Sequence, residues 1–301
     1  MTLSSPIKQL TLSNEALIKS STVAGMTLAQ YRKSSATFSL YCTLVLRLIK
    51  NRILGYFFLI LFAPILSATE IPVIAAASNI KFALEEIATA FHQETGKSLH
   101  ISYGSSGNLT RQIQQGGPFE LFLSANAHYV EQLYQQHKTL DQGHVFALGR
   151  LALLTPINAD LMLDDQLNGL KNALQSGQLQ RIAIANPEHA PFGIAAREAL
   201  QKQQLWIPLQ PHLILGENVA QATQFASSGA VQVGLVSYSL ALAPALKNRV
   251  RYALISDALH QPLQQTAVLL NNAGDTAKLF FHYLLQEKAR GILSRHGYTT
   301  P

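Results

Sequence analysis

Cysteine is almost missing from the 301 residues: the one present is Cys42. An internal disulfide and any cysteine-rich zinc site are therefore excluded. Charged side chains are scarce too, at 13% against 48% hydrophobic, which excludes a disordered polyelectrolyte and leaves enough apolar mass for a core. The chain has no G-x-x-x-x-G-K-[ST] loop, no H-E-x-x-H and no G-x-S-x-G. A P-loop nucleotide site, a helix-borne zinc site and a nucleophile elbow thus lack their usual signatures. The net charge of +6 is also absent from most of the chain. Residues 1–68 hold seven of the 23 basic residues and one of the 17 acidic ones, Glu15, which leaves sixteen of each sign in the rest. The globular part therefore offers no electrostatic attraction for nucleic acid.

What the leader does contain is the order of a secretory signal. Lys50-Asn51-Arg52 precedes an apolar run from Ile53 to Ser67, which ends at Ala68 before the polar Thr69-Glu70. A basic flank, a run of about 15 apolar residues and a small residue at its end form a signal peptide with its h-region at 53–67. The same segment retained as a membrane anchor is the alternative, although about 20 apolar residues are normally needed to span a bilayer. Cleavage after Ala68, or at Ser67, leaves a cysteine-free chain suited to an oxidising compartment.

From residue 70 onward short apolar runs alternate with helical periods, the pattern of an α/β protein with mostly parallel strands. Residues 71–76, 99–103, 121–123, 150–155, 181–185, 213–215, 231–236 and 266–270 read as strands. Helices are expected at 83–91, closed by Gly96, and at 109–115, 194–204, 219–227, 276–286 and 289–296. Phe82, Phe91, Phe280 and Phe281 read as core. The length suits two folded units, one of them discontinuous: 69–149 with 259–301, and 150–258.

Four strand exits carry small or hydroxylic residues just before a helix: Ala77-Ser78-Asn79, Gly104-Ser105-Ser106-Gly107, Pro191-Phe192-Gly193 and Glu217-Asn218-Val219. Helix starts expose unpaired N–H groups and the positive end of the helix dipole, so several meeting in one cleft would hold an anion without a formal cation. Taken one at a time, Ser78, Asn79 and Ser106 are ordinary caps, and His189 is a loop residue that caps or packs rather than a ligand. An enzyme would need a titratable base beside Ser78 or Ser106, which the local sequence does not supply.

At these segments the sequence resembles the periplasmic molybdate-binding proteins of ABC transporters. The matching stretches are 75–79 (AAASN), 104–113 (GSSGNLTRQI), 119–126 (FELFLSAN), 185–200 (ANPEHAPFGIAAREAL), 216–222 (GENVAQA) and 291–299 (GILSRHGYT). The resemblance implies a two-domain periplasmic-binding-protein-like (type II) α/β fold, with a hinge and an interdomain cleft closing over one tetrahedral oxyanion. It implies oxyanion contacts from Ser78, Asn79 and Ser106, and backbone N–H groups from Phe192 and Val219. Ser78 and Ser106 would thus be metal ligands only in the sense of a molybdate oxyanion, never of a bare cation. Where relatives place a tyrosine, this chain has Ser237 in register and Tyr238 one residue later, so Ser237, Tyr238 or neither is the contact. Glu120, in place of the usual aspartate, reads as structural.

The expectation is a monomeric, non-enzymatic periplasmic receptor for molybdate or tungstate that delivers its ligand to an inner-membrane ABC permease and carries no cofactor. A receptor for sulfate or another small oxyanion, or an enzyme acting on an anionic substrate, are the alternatives. A protonated oxyanion such as phosphate would need an acceptor for which no carboxylate obviously serves, so a fully ionised dianion is favoured.

Overall fold

Val73–Ala77 (β1) is an almost unbroken apolar run, as a parallel strand covered on both faces requires. It opens the described part of the chain, residues 71–300 of a computed structural model. The signal peptide expected within residues 1–68 lies outside the described residues. After a short turn, Lys81–Thr95 forms α1, whose Ala83, Leu84, Ile87, Ala90 and Phe91 recur at helical spacing and are buried. It stops at Gly96, whose φ of 69° and N–H bond to the His92 carbonyl (2.8 Å) make a left-handed cap.

Two further strand–helix units follow: His100–Gly104 (β2) with Ser106–Gln114 (α2), and Phe119–Ser124 (β3) with Ala127–Gln135 (α3). His144–Gly149 (β4) ends the first stretch. The second comprises Leu151–Pro156 (β5), Asn168–Gln175 (α4), Ile182–Ala185 (β6), Pro191–Lys202 (α5), Leu213–Gly216 (β7), Val219–Ser227 (α6), Val233–Ser237 (β8) and Val250–Leu254 (β9). Leu263–Leu269 (β10), Asp275–Leu284 (α7) and Glu287–Arg295 (α8) close the chain.

The strands form two five-stranded sheets of like design, ordered β2-β1-β3-β10-β4 and β7-β6-β8-β5-β9. In each, three parallel strands are followed by an antiparallel one: β10 beside β3, and β5 beside β8. The C-terminal ends of the parallel strands are where open α/β sheets receive ligands. The chain passes between the sheets twice, at Arg150 and over residues 255–262. The Arg150 guanidinium joins the two passages, with Nε 2.9 Å from Asp257 Oδ1. That contact is an ion pair rather than a directed hydrogen bond.

Alternation along the strands divides the core. Ile74, Ala76, Leu121 and Leu123 face α1, α7 and α8, whereas Ala75, Phe122 and Val268 face α2 and α3. The second sheet is enclosed in one cluster that includes Leu153, Ile182, Ile184 and Leu235. Phe91, Phe280 and Phe281 are buried as expected, and Phe82 is only half-buried.

Two helices begin three residues earlier than their periodicity indicates. α2 starts at Ser106 because Ser105 is still extended (φ −79°, ψ 146°), and α5 starts at Pro191, whose missing N–H costs nothing in a first turn. α3, β4, α4 and β9 were not anticipated. Among the described residues no helix is long and apolar enough to cross a membrane.

Candidate functional site

Two serines from β1 and β2 face two helix starts of the second sheet across a small cavity. Ser78 and Asn79 leave β1, and Ser105 and Ser106 leave β2 past Gly104. From the other half come Ala190, Pro191 and Phe192 at the start of α5, and Val219 at the start of α6. With Ala77 and Ala125 these residues line one small, half-open pocket. None of them carries an ionisable side chain.

The polarity of the cavity follows from how its hydroxyls are used. Ser106 is buried, and its Oγ accepts the Ala125 N–H at 3.0 Å. Ser78 Oγ accepts the Ala220 N–H at 3.4 Å, a proton shared with the Asn218 cap at 3.0 Å. A hydroxyl has one proton to give, so with an acceptor position already filled each O–H is left as a donor. The amides of Ser106, Phe192 and Val219 lie in first helical turns, where no intrahelical acceptor exists. Three helices of nine to twelve residues, α2, α5 and α6, thus start at one cavity and present the positive ends of their dipoles to it. The site can hold a small anion through uncharged donors.

Of the six residues singled out from sequence, Ser78, Asn79, Ser106, Phe192 and Val219 line this cavity. Asn79 is occupied elsewhere by its amide nitrogen, which donates to Gln265 Oε1 and to the Tyr298 hydroxyl, both at 2.8 Å. The Tyr298 and Ser239 hydroxyls in turn donate to the Asn79 carbonyl at 3.0 and 2.9 Å. Asn79 Oδ1 is buried with no protein partner. Burial drives the Tyr298 phenol far above its usual pKa and keeps it a donor.

Ser237 is the exception. It ends β8, the central strand of the second sheet, is fully buried, and is not among the lining residues. Tyr238 does not line the cavity either; its ring packs on Tyr252 with centroids 5.5 Å apart. The residue from this segment that reaches toward the cavity is Ser239, through the Asn79 carbonyl. Glu120 is structural, accepting the Gly274 N–H at 2.7 Å. Gln265, Tyr298 and Ser239 were missed because they lie 160 to 219 residues from Asn79 and belong to no local motif.

Among the described residues no group of three or more His, Cys, Asp or Glu side chains is placed to hold a metal cation.

The model of the bacterial extracellular solute-binding protein family matches residues 72–299. The molybdate-binding protein ModA of Rhodobacter capsulatus is 33% identical over 235 residues, covering 75% of this chain and 87% of the relative. The chain is a bacterial extracellular solute-binding protein of the molybdate-binding group. The solved periplasmic molybdate-binding protein of Azotobacter vinelandii is 30% identical to this solute-binding protein, with a TM-score of 0.70 over 77% of this chain and 100% of that one. The sulfate-binding protein SubI of Mycobacterium tuberculosis is 14% identical with a TM-score of 0.62, covering 76% and 85%. That second likeness is one of fold alone, so the fold does not choose the anion. In a solute-binding protein the choice falls to the lining of the cavity.

Proposed function

We propose that the protein captures molybdate or tungstate outside the cytoplasm and delivers it to the permease of an ABC transporter in the inner membrane. It does so as a monomer, without a resident cofactor and without catalysing a reaction. Residues 53–67 direct its export as the h-region of a signal peptide.

The observation that carries this reading is the cavity free of ionisable side chains, in which the serine O–H and first-turn N–H groups are all donors. A dianion accepts from all of them, and each charge-assisted bond contributes about 1.5 to 3 kcal/mol. A protonated oxyanion would need an acceptor, and the lining residues offer no carboxylate or imidazole, only the amide oxygen of Asn79. No lining residue itself carries a group that acts as a general base on a substrate held there. Ser78 and Ser106 hold the ligand's oxygens and make no bond to a bare metal ion.

Elemental analysis tests the reading. Residues 69–301 are dialysed against an equimolar mixture of molybdate, tungstate, sulfate and phosphate, then separated from free anion. Molybdenum or tungsten retained near one equivalent per chain is the expected result. Sulfur or phosphorus in their place, from bound anion, would refute it.

A further inference from the structure

Beside the cavity, and outside its lining, sits a buried histidine that the capture of an anion does not by itself explain. His189 lies between β6 and α5, yet its hydrogen-bond partners Ser105 and Gly107 lie on the other half of the fold. Its Nδ1 is 2.8 Å from Ser105 Oγ, and its carbonyl accepts the Gly107 N–H at 2.9 Å. Its Nε2 is 3.7 Å from Glu217 Oε2. The other Glu217 oxygen accepts from Asn108 Nδ2, a second link to α2, and Asn108 Oδ1 in turn accepts from the Arg111 guanidinium.

Two local features show that this contact shapes the start of α2. Ser105 occupies the N-cap position, where a serine hydroxyl ordinarily bonds its own helix, but it makes no such bond and is directed at His189. Gly107 lies within a helix, where alanine is the better helix former. A Cβ there would stand 2.7 Å from the His189 carbonyl oxygen, so only glycine permits the approach. The residues beside this contact, Ser105, Ser106 and Ala190, are themselves lining residues of the cavity.

We propose that His189 is a positioning residue for the captured oxyanion. It clamps the Ser105–Ser106 segment of one half to the start of α5 on the other, holding both sets of N–H donors around the ligand. The proposal rests on the reading of the cavity given above. Separating the halves must break the Ser105, Gly107 and Asn108 links together, so the clamp governs release more than capture. Among variants of one binding surface, affinity changes fall mostly on dissociation.

Labelled molybdate provides the test, with association and chase-induced release measured for the wild type and for His189→Ala, His189→Asn and Gly107→Ala. His189→Ala is expected to release the anion about tenfold faster, the loss of roughly one hydrogen bond, with association within about twofold of wild type. His189→Asn, which keeps a polar group near the Nδ1 position, is expected to recover most of the slow release. Gly107→Ala is expected to release faster, because its Cβ cannot be accommodated against the His189 carbonyl. Unchanged release in His189→Ala would overturn the proposal, as would a midpoint loss that accounts for the weaker binding. Labelling of Ser105 by a fluorophosphonate would also overturn it, since the pair would then be a nucleophile and its base.

A second readout is independent of ligand: hydrogen exchange of the Gly107 amide with no anion added is expected to be faster in His189→Ala. Equal exchange in the two proteins sinks the clamp. Wild-type protein that holds no molybdate, yet shows this exchange difference, refutes the ligand assignment and leaves the clamp standing.

Discussion

The Ala125 N–H donates to Ser106 Oγ at 3.0 Å across 19 residues of chain, tying the exit of β3 to the start of α2. The bond determines which way the serine proton is free to point. It also gives Ser106 two duties, whereas Ser78 has a weaker second one, since its bond from Ala220 N–H is longer at 3.4 Å.

Replacing either serine therefore separates binding from stability. Ser78→Ala and Ser106→Ala should each weaken anion binding by about 1.5 to 3 kcal/mol, the range for a hydrogen bond to a charged group. Ser106→Ala should in addition lower unfolding stability by about 1 to 3 kcal/mol, because the buried Ala125 N–H loses its acceptor. Titration of the anion and denaturant unfolding of both variants check this. Equal stability losses with unchanged binding would show both residues to be structural only.

Tyr298 acts behind the cavity. Its hydroxyl both accepts from Asn79 Nδ2 and donates to the Asn79 carbonyl, in a fully buried position. Tyr298→Phe should cost about 1 to 3 kcal/mol in unfolding stability by leaving these groups short of partners. Binding should weaken with it, since the backbone of Asn79 is then less firmly held. Denaturant midpoints and anion affinity measured on the same preparation check both parts.

How much of this was legible in the sequence depends on distance along the chain. β1 and α1 read clearly because burial is continuous in the strand and periodic in the helix, and Gly96 marks the stop. α6 was placed residue for residue, since Asn218 caps it by accepting from Ala220 and Gln221. β4 and β9 stayed hidden because each forms an edge of its sheet, where exposed residues break the apolar run. At the site, hydroxyls at helix starts pointed to Ser78 and Ser106. The Tyr298–Asn79–Gln265 network depends on contacts that no local pattern encodes. Ser237 stands outside the lining because register against relatives gives a position on the chain, and this one is buried at the end of β8.

Asp164 gives the fold a dependence on acid. Its carboxylate accepts the Gln166, Asn168 and Gly169 N–H groups at 3.0, 2.9 and 2.7 Å, holding the entry to α4 where Leu167 has φ of 64°. Burial raises its pKa, but the backbone donors outweigh burial and leave it below the ordinary 3.8. A lowered folded-state pKa means a contribution complete above the unfolded value and lost as pH falls through the folded one. Asp164→Ala should therefore lower stability by about 1 to 2 kcal/mol near neutral pH, with a smaller penalty well below the carboxylate range. Thermal midpoints of wild type and variant across that range check the sign. A penalty that grows on acidification would contradict it.

The idea that uncharged donors select a fully ionised dianion is tested most directly by calorimetric titration of residues 69–301. Molybdate, tungstate, sulfate and phosphate are compared at fixed pH, and molybdate again at raised ionic strength. Molybdate and tungstate should bind most tightly, sulfate more weakly and phosphate weakest, with little loss on adding salt because no formal charge lines the cavity. Phosphate or sulfate binding as tightly as molybdate would contradict the account, as would a steep fall in affinity with salt.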